Sequence, residues 1–289
     1  MPADSATLSA LRHHIARLER GSVPGTGHRE SAETSLTFGL VAVDRHLPGG
    51  GLPAAAMHEI VDGDRDAAAT FTGVASAFTA ALVGRRQRFD GRPAVWIAPR
   101  HSAHESLYRH GLDAFGLDPD RLFIVRVPGH GRSLATQTLW ALEECLRERA
   151  IGLVCAEIEI LDLTASRRLQ LAAAAGGTTG LLLRRDGTAP LPPTASVTRW
   201  RVTSAPSTDL DIPRWRVELL RARNGRPCHW LLEWRHDLEP DLVPDTECPA
   251  PVYRFADART AAGFALVAPF RDRPDLPQRP LRFTTGPFR

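Results

Sequence analysis

Apolar residues fall along this chain in short continuous runs, separated by stretches with helical spacing. The runs Met57 to Val61, Ala94 to Ala98, Leu122 to Val127, Ile151 to Glu157 and Thr179 to Leu183 have strand length and little alternation. Strands buried on both faces of a parallel sheet read this way. Between them, an Ala- and Thr-rich segment from about Ala67 to Leu82, a segment ending in Leu107 to Leu112, Leu134 to Arg149 and Ala165 to Ala175 predict helices. Strands alternating with helices of this length imply βαβ units, hence an α/β protein with a mostly parallel sheet flanked by helices. Late in the chain the pattern changes. Trp215 to Leu220 and His229 to Trp234 flank Asn224-Gly225, which predicts an antiparallel hairpin at one edge of the sheet.

Outside this core the pattern thins. Leu8, Leu11, Ile15 and Leu18 recur at helical spacing before Gly21, so residues about 7 to 20 are expected to form an amphipathic helix, followed by a polar linker to Ser35. From Glu239 onward prolines dominate, at positions 240, 244, 249, 251, 269, 274, 277, 280 and 287. Such a segment is expected to lack a packed core and to be disordered or to order on a partner. The organisation read from sequence is therefore residues 1–35 as helix and linker, 36–238 as the α/β domain, and 239–289 as a Pro-rich tail. Partner contacts are expected at the stripe Leu8, Leu11, Ile15 and Leu18, and at the tail's apolar islands around Tyr253, Phe255, Leu281 and Phe283. Two alternatives stay open: the stripe folds back on its own core, and the tail is an unstructured solubilising segment.

Composition changes this picture little. No run of 18 apolar residues occurs, and Asp4 and Arg12-His13-His14 interrupt any signal-peptide core, so a cytoplasmic protein is expected. The four cysteines, 145, 155, 228 and 248, lack C-x-x-C spacing, which fits reduced thiols and not a zinc site. No metal or other cofactor is expected. A formal charge of +3 is below what a dedicated nucleic-acid module usually carries. All 36 Lys+Arg residues are Arg.

That absence of lysine matters at one place. The turn Leu47-Pro48-Gly49-Gly50-Gly51-Leu52-Pro53 leads into the strand at Met57 as the approach to a phosphate-binding loop does. Such a loop needs glycines to curl backbone N–H groups around phosphates, a Lys for their charge, and a Ser/Thr hydroxyl on Mg²⁺. The corresponding positions hold Asp62, Ala67, Ala68 and Ala69. Asp62, Asp64 and Asp66 stand where a triphosphate of about four negative charges would lie, and like charges at ~4 Å repel even in water. The ATP site is read as lost. The same aspartates do not make a calcium loop, because its sixth and twelfth positions are Ala67 and Gly73.

Residues about 44 to 235 resemble the RecA-like core. The Gly-rich turn, the missing lysine, Leu117-Asp118-Pro119-Asp120-Arg121-Leu122, Arg216 to Arg221 and Trp230-Leu231-Leu232-Glu233-Trp234 together resemble the ImuA family, RecA/SulA-like accessory proteins of bacterial translesion mutagenesis cassettes. The resemblance implies a RecA-like fold with a degenerate P-loop. It also implies a non-catalytic adaptor in SOS mutagenesis and translesion synthesis, with ImuB, an error-prone DNA polymerase subunit and RecA as partners. Against the RecA pattern, Pro99-Arg100 replaces the catalytic Glu and Glu157 occupies the Walker B acid position. The second DNA loop shrinks to Asp186 to Ser196, leaving Arg184 and Arg185 as candidate DNA contacts, with a solvated strand end as their alternative. Two rival functions remain: a SulA-type cell-division inhibitor and an ATP-dependent RecA-like DNA-binding protein. Outside these positions, His101 and His104 lack a third metal ligand, and the arginines at 85, 86, 88 and 92 are expected on a solvated face after a helix.

Overall fold

A computed structural model describes residues 35–63, 73–100, 107, 109–159, 161–185, 191–207, 212–235 and 263–268. The expected N-terminal helix, Ala67 to Ala69, His101, His104, and Tyr253, Phe255, Leu281 and Phe283 lie outside the described residues. A two-stranded ladder, β1 (Ser35–Leu36) with β2 (Leu52–Pro53), brackets α1 (Val41–Asp44) and the Gly-rich turn, where Gly49 and Gly50 take φ of 72° and 78°. Only glycine enters that region without strain.

The main sheet follows the strand–helix alternation of the sequence. Its strands are β3 (Met57–Asp62), β4 (Ala94–Pro99), β5 (Leu122–Val127), β6 (Leu153–Glu157), β7 (Thr179–Arg185), β8 (Thr198–Ser204), β9 (Arg214–Ala222), β10 (Cys228–Arg235) and β11 (Gly263–Ala268). They lie in the order β11-β10-β9-β8-β3-β7-β6-β4-β5, a sheet of nine strands among the described residues. The half from β8 to β5 is parallel, and β8 through β11 run antiparallel to one another. The predicted hairpin is β9–β10, its turn carrying Asn224 at φ 61°.

Helix α2 (Gly73–Phe89) covers one face, while α4 (Gly131–Arg147) and α5 (Leu163–Gly176) cover the other. The short α3 (Arg109–Ala114) precedes β5. On the α2 face Ile60, Trp96, Leu181, Trp200, Trp215 and Trp234 pack with Phe38 and Phe78; on the other, Met57, Ile97 and Leu182 pack with Leu142 and Leu169. Helices α4 and α5 touch where a Cβ at Gly176 would run into the Leu146 carbonyl oxygen. Leu117 to Arg121 is structural: Asp118 accepts from the Asp120 N–H and is clamped by Gln87, whose Oε1 accepts the Asp118 N–H at 2.8 Å. Among the described residues no helix is long and apolar enough to cross a membrane.

Three expectations need correction, and one strand was not anticipated. The sheet does not end at Trp234: Gly263–Ala268, inside the segment expected to be a Pro-rich tail, is a strand on β10 with Phe264 4% exposed. Strand β8 was not anticipated, because Arg199 and Arg201 alternate with Trp200 and Val202 along it. Nor is every parallel strand covered on both faces. On the edge strand β5, Phe123 and Ile124 are 61% and 43% exposed, and edge position leaves no mark on its apolar start, Leu122-Phe123-Ile124-Val125. Finally, Arg85 and Arg86 lie inside α2 and are buried. Arg85 Nε donates to the Thr37 carbonyl at 2.8 Å, and Arg86 pairs with Asp90 at 2.8 Å.

A buried relay ties β3 to β8 and gives the fold a pH dependence. His58 Nε2 donates to the Pro53 carbonyl at 3.0 Å, so Nδ1 accepts from the Thr198 hydroxyl at 2.8 Å, which itself accepts from Trp200 Nε1. Burial holds the His58 pKa down at about 4, against an ordinary 6.5. A depressed imidazole contributes stability that is complete above pH 6.5 and is lost as pH falls through 4, about 3 kcal/mol in all. Asp44, raised by burial to about 6, works oppositely: its contribution is present below its ordinary value and is lost as pH rises through 6. The comparison with His58→Gln isolates the histidine. Urea denaturation at pH 7 and pH 4 is expected to show wild type losing about 3 kcal/mol more than the variant over that interval. Equal losses would refute the relay's role.

Candidate functional site

The carboxyl ends of β3, β4, β6, β7 and β8 share one edge of the sheet, because these strands are parallel. Open α/β sheets bind ligands outside these ends. Asp62, at the end of β3, is 4% exposed. The chain does not turn away after it: the Gly63 N–H donates to the Val202 carbonyl at 2.9 Å, which continues the ladder to β8. A Cβ at Gly63 would stand 2.5 Å from Thr203 Cγ2 and 2.8 Å from Arg201 Cγ. The backbone that would begin a phosphate cradle is pressed onto β8 instead.

The neighbouring strand ends are also engaged. Glu157, the last residue of β6, accepts from the buried Trp96 indole at 3.0 Å, which is a packing role. Arg100 follows β4 as an exposed residue whose N–H donates to the Val127 carbonyl at 2.9 Å. Arg184, a candidate DNA contact with a solvated strand end as its alternative, points into the protein and is 6% exposed. The Arg185 side chain lies outside the described residues. Cys145, Cys155 and Cys228 are free thiols; burial raises Cys155 well above the ordinary thiol range. Among the described residues no three His, Cys, Asp or Glu side chains converge to hold a metal.

A charged cluster inside the sheet was not anticipated. Glu59 on β3 is fully buried; its Oε2 accepts from Arg199 Nε at 2.5 Å and its Oε1 from the Thr194 hydroxyl at 2.6 Å. Ser166 of α5 meets Thr194 at 3.0 Å and accepts the Ala195 N–H at 2.9 Å. Arg199 also donates to the Pro192 carbonyl at 2.7 Å, and Arg221 to the carbonyls of Thr194 and Ser196 at 2.6 and 3.0 Å. Residues 192–196, the second half of the expected DNA loop, are therefore fastened to the sheet. The signal was present in the sequence. Glu59 is the charged residue in the interior of the run Met57-His58-Glu59-Ile60-Val61, and a carboxylate there requires a buried cation.

The open face of β8 to β10 carries alternating charge. Arg201 pairs with Glu218 at 3.3 Å, and Arg214 with Glu233. Cross-strand pairs of this kind contribute a few tenths to about 1 kcal/mol each.

The chain is 37% identical over 213 residues to Protein ImuA of Caulobacter vibrioides, in each of two strains. The match spans 68% of this chain and 82% of the relative. No family model matches the chain.

Proposed function

The chain belongs to the ImuA family, and from that premise we propose that it is a non-catalytic adaptor in DNA-damage-induced mutagenesis and translesion synthesis. In this reading it links ImuB, an error-prone polymerase subunit and RecA. The observation that carries the non-catalytic part is the end of β3, where Asp62 is buried and Gly63 stays in register with Val202. A phosphate loop needs the chain to lift off the sheet there so that backbone N–H groups face the ligand. The strand order supports the RecA-like part, since a central parallel strand leading into a helix is where that fold places its nucleotide. Glu157 tied to Trp96 and Arg100 after β4 further support a protein without a hydrolytic base.

One experiment tests both halves. The full chain, co-expressed with an ImuB-type protein from the same source, is expected to co-purify with it, and calorimetry with ATP and Mg²⁺ is expected to show no binding heat. Stoichiometric ATP binding would overturn the non-catalytic part. Failure to retain ImuB would overturn the adaptor part. Ala68→Lys is expected to leave hydrolysis absent, because Ala69 still lacks a hydroxyl for Mg²⁺.

A further inference from the structure

Strand β5 ends the sheet, and nothing among the described residues pairs with its outer side. Such an edge is a row of open backbone donors and acceptors. Which residues carry them follows from one hydrogen bond: the Val127 carbonyl accepts the Arg100 N–H at 2.9 Å, so Val127 turns its backbone groups toward β4. Alternate residues turn the same way. Val125 and Phe123 therefore bond inward, while Ile124 and Arg126 present N–H and C=O outward. Leu122 offers only its carbonyl, because its N–H donates to the Pro119 carbonyl.

The side chains on this edge are as open as the backbone. In register with β4, Ile124 stands beside Trp96 on the α2 face, and Phe123 stands beside Val95 on the α4 face. Ile124 nevertheless remains 43% exposed and Phe123 61%. Natural sheet edges are commonly blunted by a proline, a charge or a bulge. Leu122–Val125 has none of these: it carries no charge and no proline, and its pairing with β4 is unbroken.

We propose that this edge pairs with β5 of a second copy of the chain, antiparallel about a two-fold axis at Ile124. Residues with outward backbone groups must meet one another, which restricts the register. With the axis at Ile124, the two Ile124 residues exchange both backbone bonds, and each Arg126 N–H reaches the Leu122 carbonyl of the second copy. Each Phe123 then lies opposite Val125 of the second copy in a close, non-hydrogen-bonded pair. Arg126 faces Leu122, with Asp120 two positions further on.

The neighbouring registers fit less well. An axis at Arg126 would set two guanidiniums against each other. An axis at Phe123 would call on the Leu122 N–H that Pro119 already holds. An axis at Val125 would aim the Leu122 carbonyl at Pro128, which has no N–H, and set Phe123 opposite Val127, already buried. Only about Ile124 is the strand its own complement. Two six-residue strands make less than a standard interface of about 1,600 Å², so the dimer is expected to dissociate on dilution.

Sedimentation velocity of the full chain tests this. The mass is expected to rise from 31.6 kDa at low micromolar protein toward twice that value at several hundred micromolar. Ile124→Pro removes an outward N–H and no bond to β4, and Ile124→Lys sets two like charges at the axis. Both are expected to keep the single-chain mass throughout, with Tm within a few degrees of wild type at low concentration. Hydrogen exchange in wild type needs no variant: protection at Ile124 and Arg126 is expected to grow several-fold with concentration, while Phe123 and Val125 stay unchanged. A single-chain mass at every concentration overturns the proposal, as does a dimer that survives both substitutions. Protection at Ile124 and Arg126 that is independent of concentration would put another part of this chain on the edge, and overturns it equally.

Discussion

Phe264→Ala is expected to lower the stability of the domain by about 3–5 kcal/mol, a large share of what an ordinary domain possesses. Phe264 is 4% exposed and its ring lies 5.4 Å from both Phe38 and Phe78, 5.9 Å from Trp215 and 5.1 Å from Trp234. It joins the N-terminal segment, α2 and the antiparallel half of the sheet. Truncation after Glu239 removes this ring together with the whole ladder between β10 and β11, and is expected to cost more than the point substitution. Trp234 would lose its edge-to-face partner and β10 would become an open edge. Guanidinium denaturation followed by tryptophan fluorescence measures both effects. Val267→Ala, at a position 36% exposed, is expected to stay within about 0.5 kcal/mol. An unchanged unfolding midpoint after truncation would show that Phe264 does not belong to the core.

This prediction reverses the sequence expectation for the tail, and the reason is physical. Proline density averaged over residues 239–289 hides a proline-free run from Val252 to Ala268, which ends in Gly263-Phe264-Ala265-Leu266-Val267-Ala268. Its alternation of large and small residues puts Phe264 and Leu266 on the face that α2 covers. A strand added to the sheet from far along the chain leaves only this local trace, because its partner β10 is distant in sequence. The central strands were legible for the opposite reason: burial on both faces makes them apolar throughout. The hairpin was legible because its turn chemistry is local, in Asn224 and Gly225. Strand β8 was not, since Arg199 fills a strand position that an unpartnered guanidinium does not occupy; Glu59 makes it tolerable. At the site, the loss of phosphate-loop chemistry at Asp62 was readable residue by residue. The inward turn of Arg184 and the fastening of residues 192–196 depend on pairing between distant strands, which spacing along the chain does not encode.

Glu59→Gln is expected to destabilise the protein by about 3–5 kcal/mol, the cost of leaving a buried charge without its partner. The amide keeps the shape of the carboxylate and one acceptor for the Thr194 hydroxyl. It loses the negative charge that faces Arg199 at 2.5 Å and Arg184 at 3.9 Å, so two buried guanidiniums remain uncompensated. Arg199→Met should cost a similar amount, because Glu59 is then left with the more distant Arg184. The double variant Glu59→Leu with Arg199→Met removes one charge of each sign and is expected to be less destabilised than the sum of its singles, as a double-mutant cycle reads directly. The local consequence separates this pair from a generic core defect. The Ala195 and Ser196 N–H groups bond to the Ser166 and Thr194 hydroxyls, and Thr194 is held by Glu59. Glu59→Gln should therefore speed hydrogen exchange at Ala195 and Ser196 well beyond the change at Leu182 in the neighbouring strand β7 or Val154 in β6 beyond it. Uniform acceleration across all four amides would mean that the cluster contributes bulk stability only and does not fasten this segment to the sheet.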